Sequence, residues 1–346
     1  MWYTMENTVF VSIDDLKSKI ETILCGVGLT KQDAQVVADA LLDAEISGVA
    51  SHGITRLKAY VDRIVCGNIS TKPDIVIQEN GASLQVSGGN GLGQVVMCRA
   101  IDRCLEIAKE YGVAVAAVEH SNHFGTAAFY ANRIAKEHCI GFVATNAGST
   151  MAPFGGLDLL LGTNPFAIAF PSEKQVFCAD MATSAVAKGK IRIFQKEGKA
   201  IPLGWALDAE GQDTTDPAAA IKGILLPMGG HKGYALAMAV DAVCGLLSGA
   251  NLSCEAPSMF ETQIPANTGH FILVLDIAHF MDVPSFEKRA QSWFDMIRGS
   301  RHRSGMEIMI PGEPESRKRE KCEGMMEVLS ESLATVQEYY TKYATK

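Results

Sequence analysis

The sequence predicts an α/β protein whose body carries a small all-helical domain formed from both chain ends. Three observations predict it. Apolar residues recur only at helical spacing before Gly67, short β-branched runs alternate with helical stretches from Asp74 onward, and helical spacing returns after Pro284. The division this implies is 1–73 and 285–346 for the two parts of the helical domain, and 74–284 for the α/β body.

Ser12 with Asp15 three residues on reads as a capping box, and Ile13, Leu16, Ile20, Ile23, Leu24 and Val27 follow on one helical face. Gly26 and Gly28 end that helix. Thr30 with Asp33 opens a second, with Ala34, Val37, Ala38 and Leu41 inward, running to about Gly48. A third is predicted from Gly53 to Cys66, with Leu57, Tyr60, Val61 and Ile64 apolar, before Gly67, Asn68 and Pro73 break the pattern. Predicted strands follow at Ile75–Ile77, Ser83–Val86, Val113–Val118, Ile140–Thr145, Phe166–Phe170, Val176–Ala179 and Phe271–Leu275. The helices between them are Gly91–Tyr111, closed by Gly112, then Phe124–His138 and Lys232–Leu247. Phe286, Ala290, Trp293, Phe294 and Ile297 mark one late helix and Met325–Tyr340 another, with a basic loop from Arg298 to Arg319 between them.

The composition excludes several classes. With 47% hydrophobic and 20% charged residues the chain is an ordinary globular protein, and a net charge of −8 lacks the basic stripe that nucleic-acid binding needs. Nine scattered cysteines, with no C-x-x-C pair, indicate neither a disulfide framework nor a zinc cluster and point to a reducing, cytoplasmic setting. Met1 to Phe10 shows no basic segment followed by an apolar run, so no signal peptide is expected. Tyr234–Ala250 is too short and too broken by Asp241 and glycines for a membrane span.

Chemistry concentrates in Ser51-His52-Gly53-Ile54-Thr55-Arg56. On a helix, His52 and Arg56 would share one face, about 6 Å apart at Cβ. Arg56 would present a two-pronged donor to a carboxylate, and His52 an imidazole able to exchange a proton near neutrality. The same six residues also read as a capped helix start. Asn122-His123-Phe124-Gly125 follows a predicted strand, which makes His123 a second proton carrier or a cleft hydrogen-bonding group; His120 and His123 lack a third ligand for a metal. Ser87-Gly88-Gly89-Asn90-Gly91-Leu92-Gly93 misses the dinucleotide fingerprint, because Gln94 stands where its last glycine belongs. Two polar turns, Thr145-Asn146-Ala147-Gly148 and Gly162-Thr163-Asn164-Pro165, let a flat ligand approach the backbone or are simply tight turns. Asp180-Met181-Ala182-Thr183-Ser184, with Lys188 and Lys190 beyond it, suits a pyrophosphate or ribose, or caps a helix. Gly229-Gly230-His231-Lys232 gives a glycine-rich helix start with a lysine for an anion. A Ser51–His52 hydrolase is a poor rival, since neighbours in sequence seldom serve each other as nucleophile and base and no G-x-S-x-G elbow is present.

Together these stretches resemble the malate/L-lactate dehydrogenase family. In order they are Ser51-His52-Gly53 with Arg56 and Tyr60, Asn122-His123-Phe124-Gly125, Met151-Ala152-Pro153-Phe154-Gly155-Gly156, Gly162-Thr163-Asn164-Pro165, Asp180 to Ser184, Gly189-Lys190, His231-Lys232-Gly233-Tyr234 and Pro311-Gly312-Glu313. The resemblance implies a non-Rossmann, mixed-sheet nucleotide-binding body and an oxidoreductase that uses NAD, with NADP as the alternative. It implies interconversion of a small 2-hydroxy acid and its 2-oxo acid, malate or L-lactate first, and a homodimer. Sulfolactate, ureidoglycolate and a cyclic imine carboxylate are the alternative substrates, and a non-catalytic relative the alternative to an enzyme. By the same resemblance His52, with Ser51, is the proton donor, or His123 takes that role. Arg56, Tyr60 and Asn164 face the substrate. Asp180, Met181, Ala182, Thr183, Ser184, Lys190, His231, Lys232, Pro311, Gly312 and Glu313 hold the cofactor. No metal is implied. His231 departs from relatives that carry Trp or Pro there, and Ala147-Gly148 replaces more polar residues of the ureidoglycolate enzymes.

Overall fold

The computed structural model describes residues 8–344, so most of the Met1 to Phe10 stretch read for a signal peptide lies outside it. The first half of the chain forms β1 (Thr8–Ser12), α1 (Ile13–Gly26), α2 (Lys31–Ile46), α3 (Leu57–Val65), β2 (Val76–Asn80), β3 (Ser83–Ser87), α4 (Gly93–Tyr111), β4 (Val113–Ser121), α5 (Ala127–Lys136), β5 (Cys139–Thr145) and β6 (Phe166–Pro171). The second half forms β7 (Val176–Met181), α6 (Lys188–Lys196), β8 (Ala206–Leu207), α7 (Pro217–Lys222), β9 (Ile224–Leu225), α8 (His231–Asp241), β10 (Thr268–Asp276), α9 (Val283–Arg298), α10 (Glu313–Glu320), β11 (Met325–Leu329) and α11 (Ser330–Tyr343).

Each β-branched run singled out from the sequence becomes a strand of one seven-stranded sheet, in the order β2-β3-β4-β10-β5-β6-β7. Only β3 and β4 run parallel, joined through α4; every other neighbour is antiparallel, so the sheet is mixed. The crossover helix α4 stops at Gly112, whose φ of 80° is open to glycine without steric cost. The buried faces of α4 and α5 pack on the sheet through Val96, Ile101, Tyr130 and Ile134 against Val86, Val118, Val143 and Ile272. α1 and α2 start as read, with Ser12 Oγ accepting from Asp15 N at 3.4 Å and Thr30 Oγ1 from Asp33 N at 3.1 Å. Their apolar faces share a second core with Leu57 and Val61 of α3 and with Val336 and Tyr339 of α11.

Four sequence expectations are corrected. The first seventy residues are not all helical, because β1 pairs antiparallel with β11. Met325–Tyr340 is not one helix: Met326 and Val328 point inward while Met325 and Glu327 face solvent, a period of two that makes a strand before α11 begins. The expected loop at Arg298–Arg319 ends in α10, which Pro314 can enter because its missing N–H falls in the first turn. The predicted helix Gly53–Cys66 begins only at Leu57, after two 3-10 turns, Ala50–His52 and Ile54–Arg56. Gly53, at φ −86° and ψ −141°, breaks the helical path, and the buried Glu45 carboxylate accepts the Ile54 N–H at 3.0 Å just beyond it. In addition α9, grouped with the helical ends from its sequence, packs on the sheet, where Ala290 and Phe294 meet Phe170 and Phe177. No helix among the described residues is long and apolar enough to cross a membrane.

Candidate active site

The carboxyl ends of β4, β5 and β7 open toward the turn carrying Ser51, His52 and Arg56, and between them lies a cavity of 1410 Å³. That exceeds the roughly 300–1,000 Å³ usual for a single small ligand. β10 inserts antiparallel between β4 and β5, so its amino end joins their carboxyl ends beneath the cavity.

The turn is held in place from below. Gly53 sits against Glu45, where a Cβ would meet Oε2, so a larger residue would require the carboxylate or the turn to shift. Burial pushes the Glu45 carboxyl up to about 7, against the pull of the Ile54 N–H. Arg56 donates through Nε to the Ser51 carbonyl and through Nη1 to Met259 Sδ at 3.2 Å, and its guanidinium lies 5.5 Å from the Phe260 ring centre. Ser51 Oγ is 3.0 Å from His52 Nδ1.

His123, delivered by the loop after β4, brings its ring to 5.6 Å from that of His52, nearly parallel at 19°. Its Nδ1 is 2.7 Å from the Tyr60 hydroxyl, which accepts from Gln94 Nε2 at 2.8 Å. Burial, with Arg56 close by, lowers His52 to about 4. Burial also carries His123 well below the ordinary imidazole range, and the neighbouring His52, Arg56 and His270 add to the shift. Both rings are therefore neutral at pH 7. Under them His270, fully buried, bonds Thr145 and Ser121 at 2.8 Å each and stacks on Phe124 at 4.9 Å.

The cavity brings together Ser51, His52, Arg56, Tyr60 and His123 with Asp180, Met181, Ala182, Pro311 and Gly312. Asp180 keeps open surface inside the crevice although protein surrounds it; burial lifts its carboxyl to about 6 while the Ala128 N–H, at the start of α5, holds one oxygen at 3.0 Å.

Other residues proposed from the sequence lie outside the cavity lining. Asn164 is fully buried and braces backbone, accepting from Ala147 N and donating to the Ala237 carbonyl. Thr183 donates to the Thr163 carbonyl and Ser184 to the Val186 carbonyl, so both hydroxyls serve their own turns. Lys190 lies over Trp205, 5.2 Å from the ring centre. Glu313 is tied to Ile310 N, Arg298 and Arg317. His231 and Lys232 are exposed at the start of α8, His231 edge-on to Phe154 at 6.0 Å.

Sequence reasoning missed Gln94 and Arg192, and offered Lys188 only to a pyrophosphate or ribose. Gln94 was noticed only for spoiling a glycine motif; a fully buried amide among Val95, Val96 and Met97 on α4 was the available signal. Lys188 is half-buried, and Lys188 and Arg192 both line the cavity without a carboxylate partner among the described residues. Each lies close enough to Arg192 or Arg56 for the cations to feel one another. Among the described residues no three His, Cys, Asp or Glu side chains gather as a metal site would require.

The arrangement matches that of known proteins along nearly its whole length. A profile described as malate/L-lactate dehydrogenase fits residues 11–335. The malate dehydrogenase of Pyrococcus horikoshii is 40% identical over 321 residues, 90% of this chain and 89% of its own. The L-sulfolactate dehydrogenase of Methanocaldococcus jannaschii is 38% identical over 313 residues, 90% of this chain and 91% of its own. The solved structure of the sulfolactate dehydrogenase from Methanocaldococcus jannaschii superposes with a TM-score of 0.93 at 36% identity, covering 97% of each chain. On this agreement of sequence and fold, the chain belongs to the malate/L-lactate dehydrogenase family of oxidoreductases.

Proposed function

We propose that the cavity holds a nicotinamide dinucleotide beside a small 2-hydroxy acid and that the protein interconverts this acid with its 2-oxo form, malate and oxaloacetate being the favoured pair. The observation that carries the reading is one cavity wall on which two neutral imidazoles stack beside Arg56, with Lys188 and Arg192 lining the same space. Three cations suit two acidic groups on one substrate better than the single carboxylate of lactate.

The lining fits such a cofactor. The volume leaves room for more than a small acid, and Met181, Ala182, Pro311 and Gly312 present small or apolar surface to a flat ring. Gly312, at φ 92°, keeps the backbone open where a Cβ would press on Cys178. Asp180 supports NAD over NADP, because a carboxylate on the lining accepts from ribose hydroxyls and repels an added phosphate.

When bound, a nicotinamide ring supplies the hydride acceptor or donor. The chain supplies the rest. Arg56 holds the carboxylate beside the reacting carbon with Nη2, which has no hydrogen bond among the described residues. His52 takes the hydroxyl proton; with its pKa lowered to about 4 it meets the substrate unprotonated at neutral pH. Because Arg56 contributes to that lowering, a carboxylate bound on Arg56 makes His52 a stronger base just when the proton must move.

The nine free cysteines support a cytoplasmic setting. Leu236, Met238, Leu246 and Leu247, 40–69% exposed on α8 and its continuation, support a homodimer that covers them. Oxaloacetate, pyruvate, sulfopyruvate and piperideine-2-carboxylate assayed with NADH and NADPH test the reading; oxaloacetate with NADH should turn over fastest.

A further inference from the structure

We propose that Gln94 is a positioning residue that fixes the tautomer of His123 through Tyr60, so that His123 presents Nε2–H, a hydrogen-bond donor, to the cavity and leaves proton transfer to His52. The proposal rests on the dehydrogenase reading of the site for its catalytic meaning, but the tautomer itself does not depend on any substrate.

Gln94, Tyr60 and His123 form a chain along which every proton can be placed. Gln94 Nε2 lies 2.8 Å from the Tyr60 oxygen, and an amide nitrogen can only donate. Tyr60 has a single hydroxyl proton, and its other partner is His123 Nδ1 at 2.7 Å. That proton must point to Nδ1. A neutral imidazole carries one N–H, so with Nδ1 accepting, the proton of His123 sits on Nε2. His123 has no reason to take a second proton: it is buried, stacked on His52 and close to Arg56.

Turning the Gln94 amide over would reverse the chain, and the burial of Gln94 argues against it. Gln94 is 0% exposed, and in the observed orientation only its Oε1 lacks a partner. The reversed orientation would give Oε1 the Tyr60 proton and strand the NH₂ group, with two donors, in the same place. Orphaned buried N–H groups are rarer in folded proteins than under-satisfied carbonyl oxygens. The residue that spoils the dinucleotide fingerprint thus has a duty of its own, one that the glycine of that fingerprint could not perform.

The consequence is a division of labour. His123 can polarise the substrate oxygen through Nε2–H but cannot remove a proton while Tyr60 occupies Nδ1. His52, whose Nδ1 neighbour is a serine hydroxyl able to donate or accept, is free to hold Nε2 as a lone pair.

The test is long-range ¹H–¹⁵N correlation on ¹⁵N-histidine protein without substrate, His123 being assigned by its loss in His123→Asn. The expected result is a pyrrole-type Nε2 and a pyridine-type Nδ1 in the wild type. Gln94→Met, isosteric but without a donor, and Tyr60→Phe should each shift His123 toward mixed tautomers and lower kcat at least about tenfold, with KM for the acid little changed. A wild-type His123 protonated on Nδ1 overturns the proposal even if neither variant folds. An unchanged tautomer in folded Gln94→Met also overturns it, whatever happens to its rate, since Gln94 would then be acting only as core. Absence of turnover on every acid tested would sink the dehydrogenase reading and leave the tautomer result standing.

Discussion

His52 and His123, brought from an N-terminal turn and from the end of a sheet strand, stack with their ring centres 5.6 Å apart. Two imidazolium charges at that separation, away from bulk water, repel strongly, so the pair stays neutral until well into the acid range. The chemistry of the site follows from that neutrality.

The pH dependence of hydroxy-acid oxidation should show it. kcat/KM reports the free enzyme and should show no histidine step between pH 5 and 8, its histidine limb falling as His52 protonates near 4, while any step near 6 or 7 belongs to Asp180 or Glu45. kcat should fall at a higher pH, because substrate bound to Arg56 removes part of the lowering. An ordinary imidazole would have titrated between 5 and 8, as its residue type alone suggests. A free-enzyme ionisation at pH 6–7 that persists in Glu45→Gln and Asp180→Asn would mean that His52 is hydrated and unpaired. Stability should follow with the matching sign: a histidine lowered on folding contributes fully above about 6.5 and loses that contribution as pH falls toward 4.

Glu45 should act in the opposite direction. Its carboxyl is raised to about 7 by burial, so its folded-state penalty is absent below the ordinary carboxylate range, grows as pH rises from about 4.5 to 7 and is complete above 7. Glu45→Gln keeps an oxygen for the Ile54 N–H and should stabilise the protein by about 1–3 kcal/mol at pH 8, with little change at pH 4.5. Thermal unfolding at the two pH values measures this. Equal effects at both would show that Glu45 is not the titrating group.

Gly53→Ala should cost about 1–3 kcal/mol, because the new methyl meets Glu45 and the turn must shift. The same displacement moves His52, so kcat should fall with stability. A fully active variant of unchanged melting temperature would show that the turn has slack.

On the proposed reading, Lys188 meets the second carboxylate of the substrate. Lys188→Ala should raise KM for oxaloacetate about tenfold and leave pyruvate nearly unaffected, the loss being one charge-assisted contact of about 1.5 kcal/mol. Equal losses on both acids would place Lys188 elsewhere than at the distal carboxylate. Arg192, more exposed, should show the same selectivity more weakly.

Much of this was legible in the residues, for physical reasons. Strands such as Val113–Ser121 and Thr268–Asp276 sit inside the sheet, so burial leaves apolar runs, Val113–Val118 and Phe271–Leu275, that announce themselves. The β1–β11 pair was not legible: it joins opposite ends of the chain, and five half-exposed residues of mixed type carry too short a pattern. The turn at Ser51–Arg56 read as a helix because its spacing allows one; the backbone breaks at Gly53, φ −86° and ψ −141°, where the turn closes on the Glu45 carboxylate. Ser184 and Thr183 looked like ligand groups because hydroxyls near a strand end suit an anion, while their use in local turns depends on backbone geometry that residue types do not encode. Gln94 had no pattern to belong to; its role exists only where α4, Tyr60 and His123 meet.

The central claim is that His52 moves the substrate proton beside an Arg56-bound carboxylate. The most direct test is steady-state turnover of His52→Ala on oxaloacetate and malate at pH 7, with cofactor binding checked separately. The account predicts that kcat falls by at least about 10²-fold while the nicotinamide cofactor still binds. Near-wild-type turnover in that variant would contradict it and pass the proton to His123.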